Sequence, residues 1–220
     1  MIALLGLMDT SFLGVYAKAS DSLVILPPGA PDAVVDEISR VLGVEPLRVT
    51  VGGSSLVGVF AALNSHGVLL PEGVTEEELR ILRSAGLNVA VLRERHNALG
   101  NNIMVNDRRA LVHPSMGRSS LRAIEDALDV EAMRSSLGGV PTVGSFGIAT
   151  NRGVLVHPGV SDAEMEKLRH FFGLPVHRTT VNMGSPKVGA GILANSRGAV
   201  IGFESTPIEV ARIEDALDLL

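Results

Sequence analysis

One short pattern, an apolar strand closed by proline, recurs along this chain at a nearly fixed interval. It reads Leu23-Val24-Ile25-Leu26-Pro27, Gly67-Val68-Leu69-Leu70-Pro71, Ala110-Leu111-Val112-His113-Pro114 and Val154-Leu155-Val156-His157-Pro158. Ala199-Val200-Ile201-Gly202-Phe203 fits as a fifth copy, with phenylalanine in the proline slot. The closing residues are 44, 43, 44 and 45 positions apart, and five such units account for all 220 residues. A period of this length marks a repeat architecture, in which each unit buries its apolar face only against its neighbours.

Other landmarks keep the same phase. Gly14, Gly58, Gly100, Gly144 and Gly189 open apolar runs that end in Ser20-Asp21, Asn64-Ser65, Asn106-Asp107, Asn151-Arg152 and Asn195-Ser196. An apolar run, a polar turn and a second apolar run predict a hairpin in every unit. Helix starts follow: Thr75 to Glu78, Ser161 to Glu164 and Thr206 to Glu209 read as capping boxes, the last with Pro207 at the first helical position. Gly86 and Gly173 predict two helix ends, and 31–43 and 119–128 supply the other two helices. Further strands are expected at 47–51, 89–92, 131–135 and 176–181, but the fifth unit has none of its own. The unassigned run Ile2 to Leu7 therefore predicts that the first strand completes the last unit and closes a ring, leaving no sheet edge exposed. An open solenoid, the alternative, needs polar end caps that neither end offers. The expected fold is thus an α/β ring of five quasi-equivalent units, approximately 11–54, 55–97, 98–140, 141–185, and 186–220 plus 1–10.

Composition limits the chemistry. Without cysteine there are no disulfides, thiolate metal sites or cysteine nucleophiles. A net charge of −5, no tryptophan and one tyrosine argue against wrapping bare nucleic acid. The N-terminus lacks a basic flank and carries Asp9, so neither a signal peptide nor a membrane anchor is expected, and a cytosolic location is.

The wording of the repeats carries a resemblance. Ala98-Leu99-Gly100-Asn101, Asn106-Asp107, Ala110 to Pro114, Val143-Gly144-Ser145, Thr150-Asn151, Leu155 to Pro158 and Thr180-Val181-Asn182-Met183-Gly184-Ser185 together resemble the translation initiation factor 6 family of archaea and eukaryotes. The match runs in register from about Gly14 to Leu217. It implies the pentein fold, five ββαβ-like units about a pseudo-fivefold axis with helices outside and strands around a central channel. It also implies a protein that acts without catalysis or cofactor by binding the intersubunit face of the large (50S) ribosomal subunit, near ribosomal protein uL14 and the sarcin-ricin loop; a monomer is expected because a closed ring leaves no edge that demands a partner. There it blocks association with the small subunit and serves large-subunit biogenesis. Release by an elongation factor 2-like GTPase with the Shwachman-Bodian-Diamond protein is implied likewise. Eukaryotic members carry a C-terminal extension, whereas this chain stops just after Asp215-Ala216-Leu217, so tail-based regulation is not carried over.

Asn106 and Asp107 are the leading candidates for ribosome contact, with Asn101 behind them and Asn64, Asn151 and Asn195 at the other hairpin tips. Turn chemistry is the competing explanation for these tips, because Asn and Asp cap their own backbone. His113 and His157 precede prolines and read as hydrogen-bonded structural residues, since no carboxylate or thiol recurs beside them to complete a metal shell. Asn182-Met183-Gly184-Ser185 reads as a turn between units, and Arg93-Glu94-Arg95-His96 as a solvated linker, with a backbone contact to ribosomal RNA as the alternative. Two other functions remain open, a scaffold or RNA-binding ring and a hydrolase. Pentein deiminases and amidinotransferases need a cysteine nucleophile, so a hydrolase here has to work without one.

Overall fold

The five repeated apolar runs become the central strands of five small sheets, and they are buried along almost their whole length because both faces are covered. The computed structural model describes residues 1–219. After β1 (Ile2–Leu5), unit one contains α1 (Leu13–Tyr16), β2 (Lys18–Ala19), β3 (Leu23–Leu26), α2 (Asp32–Leu42) and β4 (Glu45–Arg48). Unit two contains α3 (Val57–Phe60), β5 (Ala62–Leu63), β6 (Gly67–Pro71), α4 (Glu76–Ser84) and β7 (Asn88–Leu92). Unit three has α5 (Leu99–Asn102), β8 (Ile103–Val105), β9 (Arg109–Val112), α6 (Arg118–Leu128) and β10 (Glu131–Arg134). Unit four has α7 (Val143–Phe146), β11 (Gly147–Ala149), β12 (Val154–Val156), α8 (Asp162–Phe172) and β13 (Val176–Arg178). Unit five ends the series with α9 (Val188–Gly191), β14 (Ile192–Ala194), β15 (Ala199–Gly202) and α10 (Pro207–Ala216).

In units one to four the central strand pairs antiparallel with the strand before it and parallel with the strand after its helix. In unit five the parallel partner is β1, registered from Ile2 on Ala199 to Leu5 on Gly202. The chain's first strand therefore closes the last sheet, as the strand count predicts.

The five cores are shared around the ring. Strand alternation sends Val24 and Leu26 toward their own helix α2, where Val35, Ile38, Val41 and Leu42 meet them. It sends Leu23 and Ile25 into the core of unit two, among Val57, Leu70, Leu79 and Leu82. Leu69 enters the core of unit three, Leu111 that of unit four, Leu155 that of unit five, and Val200 that of unit one. Each fully buried side chain of this size contributes about 1.5–3 kcal/mol, so every unit depends on its predecessor for several kcal/mol of burial.

All three capping boxes form, at Thr75, Ser161 and Thr206. Their glutamates also reach the tight turn that precedes the unit. Glu78 accepts hydrogen bonds from Gly52 N at 3.0 Å, Gly53 N at 2.9 Å and Thr50 Oγ1 at 2.6 Å; Glu209 accepts from Gly184 N and Thr180 Oγ1, and Glu164 from Gly138 N. Burial opposes ionisation of Glu78, but the donors from Thr50, Gly53, Thr75 and Gly52 outweigh it and hold the carboxyl below its usual range. In unit three the pairing is inverted: Glu94 stands on the turn, and Ser120 on α6 donates to it at 2.5 Å. That contact anchors the linker read as merely solvated, although Arg93 and Arg95 within it are exposed.

The hairpins differ from expectation at their first arm. Each apolar run opens with one helical turn, and only two or three residues remain as strand. The landmark glycines explain this. A Cβ on Gly58 would fall within 3.0 Å of Gly14 O, one on Gly100 equally close to Gly58 O, one on Gly144 to Gly100 O, one on Gly189 to Gly144 O, and one on Gly14 to Gly189 O. The short helices therefore pack backbone on backbone in a closed circle of five.

Candidate functional site

The first strand of every unit faces the axis, so β2, β5, β8, β11 and β14 line a central channel. The glycine circle rings one end and the hairpin tips converge at the other. At each tip three consecutive residues are buried, half-buried and exposed in turn: Ser20-Asp21-Ser22, Asn64-Ser65-His66, Asn106-Asp107-Arg108, Thr150-Asn151-Arg152 and Asn195-Ser196-Arg197.

The buried residue of each triplet locks its own turn, and three of the five also lock the neighbouring unit. Asn106 Oδ1 accepts from Arg108 N and Arg109 N, while its Nδ2 donates to Thr150 O at 2.9 Å. Asn64 Nδ2 donates to Asn106 O and Leu128 O, and Asn195 Nδ2 to Ser20 O and Leu42 O. Asn64, Asn106 and Asn195 are only 2%, 5% and 3% exposed. Their side-chain polar atoms bond within the ring, where they do the turn chemistry that was the competing explanation for these tips. Asn106→Ala removes these bonds and orphans a buried carbonyl, an expected cost of about 2–3 kcal/mol measured by denaturant unfolding. A variant as stable as the parent would refute the locking role.

The fourth tip was also misaligned by one residue. Thr150, not Asn151, occupies the locking position there, and its Oγ1 accepts from Arg152 N and Gly153 N as the asparagine Oδ1 does elsewhere. Asn151 joins the half-buried layer, where it spans the mouth of the channel. Its Nδ2 donates to Asp107 Oδ2 at 2.7 Å and to Asp21 Oδ2 at 2.9 Å. Asp107 Oδ1 accepts from Ser65 N, and Asp21 accepts from Ser196 N and Oγ. Burial raises the affinity of Asp21 for a proton, but its bonds from Ser196 and Asn151 and the nearby Arg197 prevail and keep it ionised below the usual range. Asn101 lies on α5, at the far end of β8 from the tips, and is half-buried.

The exposed layer is the part that sequence reading missed. His66, Arg108, Arg152 and Arg197 form a basic rim around the acidic mouth. Arg152 pairs with Asp218 at 3.0 Å, and Arg197 donates to backbone carbonyls of Asp21 and Leu42. These residues stand about one repeat apart, so no window of sequence contains two of them, and only the phase of the repeat brings them together.

The two histidines are hydrogen-bonded. His157 Nδ1 accepts from Gly159 N and its Nε2 meets Leu137 O at 2.8 Å; His113 Nδ1 accepts from Ser115 N, and its ring stacks on His96 at 3.9 Å. Among the described residues no three His, Asp or Glu side chains converge on a metal-sized site, and no helix is long and apolar enough to cross a membrane.

Five α/β units closed about one axis, with the chain's first strand completing the last sheet, define a ring of the pentein architecture. The sequence model of the eIF-6 family matches residues 2–216, and the chain belongs to that family. It is 41% identical over 217 residues to translation initiation factor 6 of Thermoplasma acidophilum, covering 99% of this chain and all of that one. The factor of the same name from Methanosarcina mazei is 40% identical over 220 residues, with both chains covered end to end. Among solved structures, a dimethylarginine dimethylaminohydrolase adduct with S-methyl-L-thiocitrulline aligns over 94% of this chain and 74% of its own, at 14% identity and a TM-score of 0.48.

Proposed function

We propose that this ring docks through its hairpin tips on the intersubunit face of the large ribosomal subunit, in the cytoplasm, and excludes the small subunit sterically. The observation that supports this face is the basic rim: a chain of net charge −5 gathers Arg108, Arg152, Arg197 and His66 on one end. Phosphate contacts position a protein on RNA, while the acidic mouth of Asp107 and Asp21 suits a basic ribosomal protein such as uL14. Asn151 belongs to the same mouth. No covalent step is required: a rigid body occupying a joining surface lowers apparent subunit affinity by mass action. Release by an elongation factor 2-like GTPase with the Shwachman-Bodian-Diamond protein belongs to this reading.

Arg108 is the best single test, because it is exposed and its guanidinium makes no ion pair among the described residues. Arg108→Glu is expected to weaken co-sedimentation with isolated large subunits roughly tenfold and to flatten its salt dependence, with Tm unchanged. Parent protein should pellet with large subunits but not with small subunits or joined ribosomes. Equal binding to all three particles would support a general RNA-binding scaffold instead.

A further inference from the structure

Between the glycine circle and the hairpin tips the inner strands enclose a lumen of about 50 Å³. Its lining residues are mostly apolar in type, although polar atoms make up about half of the surface they present. One equivalent position, two residues before each buried tip residue, carries Ala62, Met104, Ile148 and Leu193 in units two to five. In unit one it carries Lys18. Strand pairing fixes the equivalence: Lys18 lies opposite Ile25 as Ala62 lies opposite Leu69, Met104 opposite Leu111, Ile148 opposite Leu155 and Leu193 opposite Val200.

Lys18 is half-buried and is one of the residues that line the lumen. No charged or hydrogen-bonding group of the described residues compensates its ammonium. Burial draws the pKa from 10.5 down to about 8, so at neutral pH the group still carries its proton. Folding has thus placed a cation without a counter-ion in a confined lumen, an arrangement that costs free energy until the charge is matched. The lumen has room for roughly three waters, or for one small ion with a water.

We propose that the axial lumen is a binding site for a small monovalent anion of chloride size, held by the Lys18 ammonium. Asp21, Asp107 and the Asn151 bridge set like charge across the tip end, which disfavours entry of an anion there. The site is independent of ribosome docking.

Thermal unfolding in sodium chloride against sodium gluconate, at equal ionic strength and pH 7, reads the effect, because gluconate is too bulky for the lumen. The parent is expected to melt about 2–4 °C higher in chloride. Lys18→Met should lose that difference. A second readout needs no variant: in protein labelled with ¹³C-lysine, the Lys18 Cε titration midpoint should move upward in chloride relative to gluconate. An unchanged midpoint, or a Lys18→Met protein with the same preference for chloride, would overturn the proposal.

Discussion

Gly100→Ala is expected to destroy the ring, costing more than about 4 kcal/mol and leaving little folded protein. An alanine methyl there falls within 3.0 Å of two carbonyl oxygens of the preceding unit, Gly58 O and Ala61 O, with the Gly58 carbonyl carbon at 3.0 Å. All three obstacles are backbone, so no rotamer change makes room. Nor can unit three step back, because the circle has no free end: its own carbonyl already abuts Gly144, and the chain of contacts returns through Gly189 and Gly14 to Gly58. Gly29→Ala is the matching control, since a methyl there meets nothing nearer than Met8 Cε at 3.9 Å. Guanidinium unfolding followed by circular dichroism compares the two. A Gly100→Ala protein within about 1 kcal/mol of the parent would show that the circle yields, and the account of the axis would fail.

The same circle shows how far the sequence was legible. The glycine phase was visible as a landmark, as were the proline-closed strands, the capping boxes and the missing last strand, because each is a local signal repeated five times. What the glycines do was not visible, since close backbone approach leaves no mark beyond the glycine itself. The tips show the opposite case. Asn64, Asn106 and Asn195 were conspicuous and read as candidate contacts, yet conspicuous repetition marked the lock of the fold. Thr150 escaped notice because a threonine hydroxyl does the asparagine's work for its own turn, and the adjacent Asn151 drew the alignment one residue out of register. Arg108, Arg152 and Arg197 escaped because their neighbourhood exists only after closure. A residue varied at one phase of the repeat, as Lys18 is among Ala62, Met104, Ile148 and Leu193, is the signal that was available and unused.

That lysine sets the second large effect. Lys18→Met is expected to stabilise the protein by up to about 3 kcal/mol at pH 7, because a fall in pKa from 10.5 to about 8 measures what folding costs the ammonium. Methionine suits the position sterically, as Met104 already fills it in unit three. The sign follows from proton counts. Between pH 8 and 10.5 the unfolded chain keeps a proton that the folded chain has released, so the parent gains stability as pH rises through that window. Below about pH 8 both states are protonated and the full penalty remains. The variant's advantage is therefore greatest at and below neutral pH and shrinks toward zero near pH 10.5. In gluconate at pH 7 it should raise Tm by roughly 6–10 °C. Chloride should narrow that gap by stabilising only the parent, whereas a constant, pH-independent gain would mean that methionine merely packs better and that the buried charge costs the ring nothing.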